Sequence, residues 1–283
     1  MEDIISKVRH IEWKTRKVVD SLLAGEYRTK FRGHGMQFSE FREYEPGDDV
    51  RHISWVVSAR KQDTVIKLYE EERELNVMLV VDRSSSLSYG SGSMSKQEVM
   101  AETACAMAFA AVRNQDRIGV IGFGSNVEFM VKPAKGQKHV LRIVKQILTE
   151  FKNRQTTNLD QALVRAERVM PQKGIIVIIS DFLCDFDERL IHRLSRKHQL
   201  LVIDLSDPLD YSPPSTGFVE LIDPETGFKV VELFSKKRSN EWKNIRSTHR
   251  EKLNMLSKKF KCPFLSLDTS GDHLDKLVRF LSK

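Results

Sequence analysis

Cysteine is scarce in this chain. Only Cys105, Cys184 and Cys262 occur in 283 residues, an odd number without the paired spacing of a disulfide framework or a zinc ribbon. Buried, reduced thiols are the expectation. Long apolar runs are lacking as well: the longest are of strand length, short of the ~18–20 residues that span a bilayer. The amino-terminal MEDIISKVRHIEW carries acids early and no apolar signal core, so the sequence predicts a cytoplasmic protein without a membrane anchor. A phosphate-cradling Walker loop, a serine nucleophile elbow and a histidine-rich metal cluster are all missing. Gly119-x-x-Gly122-x-Gly124 is no nucleotide fingerprint, because no helix follows to receive a phosphate.

What is present describes a soluble folded chain, with 40% hydrophobic and 30% charged residues and a length that allows one large or two modest domains with a substantial core. The net charge is +7, which permits attraction to acidic partners or nucleic acid. Its lysines and arginines are dispersed, apart from small clusters at Lys236-Lys237-Arg238 and Lys258-Lys259-Phe260-Lys261, and no nucleic-acid module accompanies them.

The chemistry concentrates where apolar strands stop. In Val77 to Ser86, VMLVVDRSSS, a β-branched run of strand length ends in an acid and hydroxyls. Binding groups of an open α/β sheet collect at the carboxyl ends of its parallel strands, beside the point where strand order reverses. Alternate residues of an extended segment share a side, so Asp82, Ser84 and Ser86 can converge while Arg83 and Ser85 point elsewhere. One carboxylate and two hydroxyls are hard oxygen donors that suit Mg²⁺ or Mn²⁺ and not zinc. A second apolar strand, Gly174 to Ser180, runs straight into Asp181. Between the two, Thr156-Thr157-Asn158 opens a segment of helical periodicity through Leu159, Ala162, Leu163 and Ala166. Taken singly, Thr157 or Asn158 reads as a helix cap and Asp181 as a turn carboxylate; together with the serines they read as one site.

These residues resemble the metal-ion-dependent adhesion site of the von Willebrand factor type A domain. Asp82, Ser84 and Ser86 match its Asp-x-Ser-x-Ser element, Thr157 its loop threonine, and Asp181 the acid after its fourth core strand. The resemblance implies a doubly wound, mostly parallel α/β sheet with helices on both faces. It also implies a cation touched directly by the two serines and the threonine and held by the aspartates largely through water, with a partner's carboxylate free to complete the shell.

A narrower resemblance lies upstream. Gly33-His34-Gly35-Met36-Gln37-Phe38, then Phe41 to Trp55, then Ser58-Ala59-Arg60 are similar to the signature of the bacterial domain-of-unknown-function family 58, which carries this stretch ahead of an adhesion-type domain. The matching positions include Arg42, Tyr44, Gly47, Asp48, Asp49, Arg51, Trp55 and Arg60; many relatives have Ile-Asp-Trp where this chain has Ile53-Ser54-Trp55. The family context implies an adaptor that works beside a MoxR-type AAA+ ATPase in maturing or remodelling client proteins.

The expected organisation is an amino-terminal helix over 3–23 and a family-specific β-segment within residues 1–75. The A-like domain follows over 76–283, with a hairpin insertion at about 206–236. In the β-segment, alternation predicts strands at 38–44 and 50–55 around the turn Glu45-Pro46-Gly47-Asp48-Asp49, a hairpin in which Arg42, Arg51 and Arg60 pair with Asp48, Asp49 and Glu45. The later hairpin, 218–222 with 228–233, is expected to pair with those strands as one small β-subdomain. Three functions compete on these grounds. The first is a metal-dependent protein-binding adaptor with an Asp/Glu-donating client. The second, a Mg²⁺-dependent phosphoryl hydrolase using Asp82, suffers because Ser84 stands where a second acid would donate a proton. The third is nucleic-acid binding, which would be steeply salt-dependent.

Overall fold

The computed structural model describes residues 36–61, 63–71, 75–149, 157–223 and 227–281, with Ile11 and Thr15. Two compact units are resolved, one of Arg32–Glu74 and one built on Leu75–Lys283. The 3–23 helix lies outside the described residues except for Ile11 and Thr15, which are helical and buried and are joined by a hydrogen bond from the Thr15 hydroxyl to the Ile11 carbonyl, 2.7 Å. The Gly33-His34-Gly35 string also lies outside them.

In the small unit, β1 (Met36–Glu43) pairs antiparallel with β2 (Val65–Glu71), across a short helix α1 (Trp55–Lys61). The strand expected over 50–55 is not formed. Asp49 accepts the Arg51 backbone N–H at 3.0 Å and starts a single 3₁₀ turn, Val50–His52, and the stretch meets the ladder through one bridge, Ile53 with Ile66, and the Ser54 N–H donated to the Val65 carbonyl at 2.9 Å. Local capping by an acid outcompetes alternation here. The ion pairs of the motif are largely as expected: Arg42 Nη2 reaches both Asp48 oxygens at 2.9 and 3.0 Å and Nη1 reaches Glu45 at 3.2 Å, while Arg51 pairs with Asp49 at 2.6 Å. Gly47 takes φ 114° in the turn, a conformation open to glycine. Tyr44 donates its N–H to Thr64 at 2.8 Å. Arg60 and Trp55 are exposed.

The larger unit carries, in chain order, β3 (Asn76–Asp82), α2 (Lys96–Arg113), β4 (Arg117–Phe123), β5 (Val127–Ala134), α3 (Gln137–Leu148), α4 (Leu159–Val169), β6 (Ile175–Ser180), α5 (Glu188–Lys197), β7 (Gln199–Ser206), α6 (Pro208–Tyr211), β8 (Gly217–Ile222), β9 (Lys229–Phe234), α7 (Lys236–Phe260), β10 (Phe264–Asp268) and α8 (His273–Leu281). Six strands form one sheet in the order β10-β7-β6-β3-β4-β5, parallel except for the edge strand β5. This is the doubly wound arrangement, and its order reverses between β3 and β6. β8 and β9 make a separate two-stranded sheet, so the expected pairing of the two hairpins is not made among the described residues. Asp207 caps the short α6 and Pro208 occupies its first turn, a favoured place for proline.

Alternation along the central strands fills both faces. Val77, Leu79 and Val81 pack with α2, α3 and α8, whereas Met78 and Val80 pack with α4, α5 and α7. α2 fits because its buried positions are mostly small: Ala101, Ala104, Ala106, Ala108, Ala110 and Ala111. A strand buried on both faces must be apolar throughout, and β6 is buried at every position. No described helix is long and apolar enough to cross a membrane.

Candidate metal centre

The five residues lie on three loops at the carboxyl ends of the parallel strands. Asp82 is the last residue of β3, Asp181 follows the last residue of β6, and Ser86 rides on a 3₁₀ turn, Ser85–Ser88, directly after β3. Thr157 comes just before α4, whose cap Asn158 accepts the Gln161 N–H at 3.2 Å. Asn158 also donates its own N–H to the Gly124 carbonyl at 2.8 Å, which ties this loop to the end of β4.

Asp82 is fully buried. Its Oδ1 accepts the Ser84 N–H at 2.7 Å and its Oδ2 accepts the Ser180 hydroxyl at 2.5 Å. The first bond turns the chain so that the Ser84 and Ser86 hydroxyls meet at 2.9 Å. Asp181, also buried, accepts the Leu183 N–H on Oδ1 at 3.2 Å, but its Oδ2 has no hydrogen-bond partner and lies 3.7 Å from Lys96 Nζ. Phe182 holds this turn in an unusual left-handed conformation, φ 52°, which costs energy for a side chain of its size. Its N–H donates to Ser180 Oγ at 3.0 Å and its carbonyl lies 2.9 Å from His249 Nε2. Arg83 points away, toward Glu128 at 2.8 Å.

Two buried acids side by side raise the electrostatic cost of the centre. Burial, and then the neighbouring Asp181 carboxylate, push Asp82 up to about 7. Because this folded-state value is raised above that of an unfolded aspartate, the folded protein holds the proton more tightly. The stability this confers is complete at pH below about 4 and is lost as pH rises toward 7. Metal-free protein should therefore be less stable at pH 8 than at pH 5, and Asp82→Asn should remove most of that difference, on the order of a few kcal/mol by urea midpoints. An unchanged pH profile in Asp82→Asn would place the titrating group elsewhere. The nearby Cys184 thiol is pushed up to about 12, chiefly by burial, which leaves it inert as a nucleophile at neutral pH.

The donor set fits a hard divalent ion. A touching pair of hydroxyls, an orphaned buried carboxylate oxygen and a second buried carboxylate are oxygen ligands of the kind Mg²⁺ and Mn²⁺ take. Such orphans call for an explanation in any folded protein. Sequence reasoning missed four residues that complete the surroundings: Ser180, Lys96, Asp210 and Arg246. Lys96 Nζ lies 3.0 Å from Asp210 Oδ2, which also meets Arg246 at 2.7 Å. One signal for Lys96 was available, since a lysine in the first turn of a helix opposes the helix dipole and needs a reason to be there.

The model of a family described as "Protein of unknown function DUF58" matches residues 40–252. The chain belongs to the DUF58 family. "Uncharacterized protein Rv1480" of Mycobacterium tuberculosis is 30% identical over 287 aligned residues, covering 99% of this chain and 89% of the relative. "Uncharacterized protein YeaD" of Bacillus subtilis is 28% identical over 111 residues, 38% of this chain and 26% of the relative. Among solved structures, BatB of Bacteroides thetaiotaomicron superimposes with TM-score 0.49 at 14% identity, covering 74% of this chain and 97% of that one. The SpRpn10 VWA domain gives TM-score 0.44 at 14% identity, covering 73% and 94%. The DUF58 chain described here has a von Willebrand factor A-like fold, carried by its own strand order and two helical layers.

Proposed function

We propose that this DUF58 chain is a protein-binding adaptor whose docking point is a divalent cation at the switch point between β3 and β6. The observation that carries this reading is the buried Asp82–Asp181 pair beside the Ser84–Ser86 hydroxyl contact, with one Asp181 oxygen unpartnered. The hydroxyls of Ser84, Ser86 and Thr157 would hold the ion, and the two aspartates would offset its charge. Neutral hydroxyls leave much of the ion's positive charge unquenched, and Mg²⁺ seeks six oxygens. A carboxylate from an Asp or Glu of a client fits that need. The family resemblance supplies a MoxR-type AAA+ ATPase as the partner to test first.

A hydrolase reading lacks comparable support. Burial pushes Asp82 up to about 7 and Asp204 up to about 6, but Asp82 is hydrogen-bonded to Ser180 and Asp204 to Ser266, and His249 Nε2 is engaged by the Phe182 carbonyl. Burial lowers the His249 pKa.

Affinity capture of a cognate MoxR-type ATPase or client tests the proposal. Capture should be retained in Mg²⁺, lost in chelator and restored by added Mg²⁺ or Mn²⁺. Capture that ignores the chelator would remove the cation from the contact.

A further inference from the structure

The buried lysine behind the centre is the feature that the metal reading alone does not use. Lys96 is the first residue of α2 and is 2% exposed, although lysine is almost never fully buried unless paired. Its ammonium stands between two acids, 3.0 Å from Asp210 Oδ2 and 3.7 Å from the orphaned Asp181 Oδ2. Asp210 in turn takes Arg246 Nη2 at 2.7 Å. Carboxylates and cations alternate along this chain of contacts: Asp181, Lys96, Asp210, Arg246. The chain is therefore electroneutral before any metal arrives. Asp82, held by a hydroxyl and an N–H, adds a carboxylate to these four groups, while the buried Asp204 beside them is offset by Arg246 and Arg250. Among Asp82 and the four groups of the chain, a divalent ion leaves one positive charge over.

We infer that Lys96 is a resident counter-cation of the metal centre, which weakens its hold on a divalent ion and leaves the loaded centre with a surplus positive charge for an acidic ligand to neutralise. This inference rests on the metal reading above and deepens it. Two like charges a few ångströms apart in a desolvated site repel strongly, because neither water nor salt screens them well. Binding of the metal and binding of a carboxylate then favour each other, and such coupling is reciprocal. Holding the centre together without metal is the compensating benefit, since an unpaired Asp181 carboxylate would be costly to bury.

Mn²⁺ titration calorimetry on the full chain separates these roles. Lys96→Met removes the charge at similar length and should tighten Mn²⁺ binding by about tenfold or more. Lys96→Arg retains the charge and should stay within about threefold of wild type. A merely structural lysine would change the unfolding midpoint and leave Mn²⁺ affinity alone. If wild type binds Mn²⁺ and folded Lys96→Met binds it no more tightly, the inference is wrong and the metal reading stands. If neither binds, the metal reading fails and takes the inference with it. Should Lys96→Met not fold, Asp210→Asn carries the test in the opposite direction. It leaves Asp181 as the remaining carboxylate partner of Lys96 and should weaken Mn²⁺ binding several-fold, whereas unchanged or tighter binding overturns the inference.

Discussion

A Ser84→Ala/Ser86→Ala double variant loses Mg²⁺-dependent capture of its partner, by ~100-fold or more, while its urea midpoint moves by no more than about 1 kcal/mol. The asymmetry follows from what the two hydroxyls do. Their 2.9 Å contact with each other is a part-buried neutral hydrogen bond, worth ~0.5–1.5 kcal/mol net. Losing both partners together strands neither hydroxyl, and Asp82 keeps the Ser84 N–H and the Ser180 hydroxyl, so the fold registers little of the change. In the proposed site they would be two of three hydroxyl donors to the cation, and even residues that merely support ligands cost ~10–100-fold in metal affinity when removed. The backbone turn survives, because the Ser84 N–H still holds Asp82. A pull-down on the double variant, with circular dichroism to verify folding, makes the comparison. Capture at the wild-type level would show that the partner binds elsewhere.

Arg83→Met has the opposite signature: a loss of ~3–5 kcal/mol of stability, with any effect on capture following from it. Arg83 lies between two proposed metal residues yet is 4% exposed and faces the other way. Its guanidinium donates to Glu128 at 2.8 Å, to the Gln146 carbonyl at 3.2 Å and to the Thr149 carbonyl at 3.0 Å, and lies over the Phe129 ring, 5.1 Å from its centre. The two carbonyls belong to the end of α3, where helical C=O groups have no partner of their own. One side chain thus joins the β3 loop to the edge strand β5 and caps α3. Methionine replaces the bulk and none of the donors. Arg83→Lys should recover only part of the loss, since a single ammonium cannot reach donors' targets in three directions. Urea unfolding of the three proteins measures this, and a change under 1 kcal/mol in Arg83→Met would mean that the network contributes little.

Much of the core was legible because its strands carry an unambiguous pattern. VMLVVD and GIIVIIS are apolar at successive positions, which only a strand covered on both faces tolerates, and both appear as central neighbours, β3 and β6. The helix after Thr157 followed from the periodicity of Leu159, Ala162, Leu163 and Ala166, which are the buried residues of α4. Residues 50–55 misled because alternation was weighed above the turn chemistry of Asp49, whose side chain captures a nearby N–H and closes a 3₁₀ turn. The late hairpin was legible as a hairpin, but not that it forms a sheet of its own, since pairing, or its lack, between distant segments leaves no local mark.

The centre divides in the same way. Asp82, Ser84 and Ser86 were recognisable as a local motif, and the ends of neighbouring strands put Asp181 on the same rim. The Lys96–Asp210–Arg246 chain was not legible, because its members are far apart in sequence and meet only after α2, α6 and α7 have packed. Charges of that kind look like surface residues until the fold buries them.

The central claim is that one divalent ion sits among Asp82, Ser84, Ser86, Thr157 and Asp181. Crystals grown or soaked with Mn²⁺ and measured for anomalous scattering test it directly. The account predicts a single strong peak within bonding distance of the Ser84, Ser86 and Thr157 hydroxyl oxygens, absent in Ser84→Ala/Ser86→Ala. A peak elsewhere, or none with the five residues in place, would contradict it.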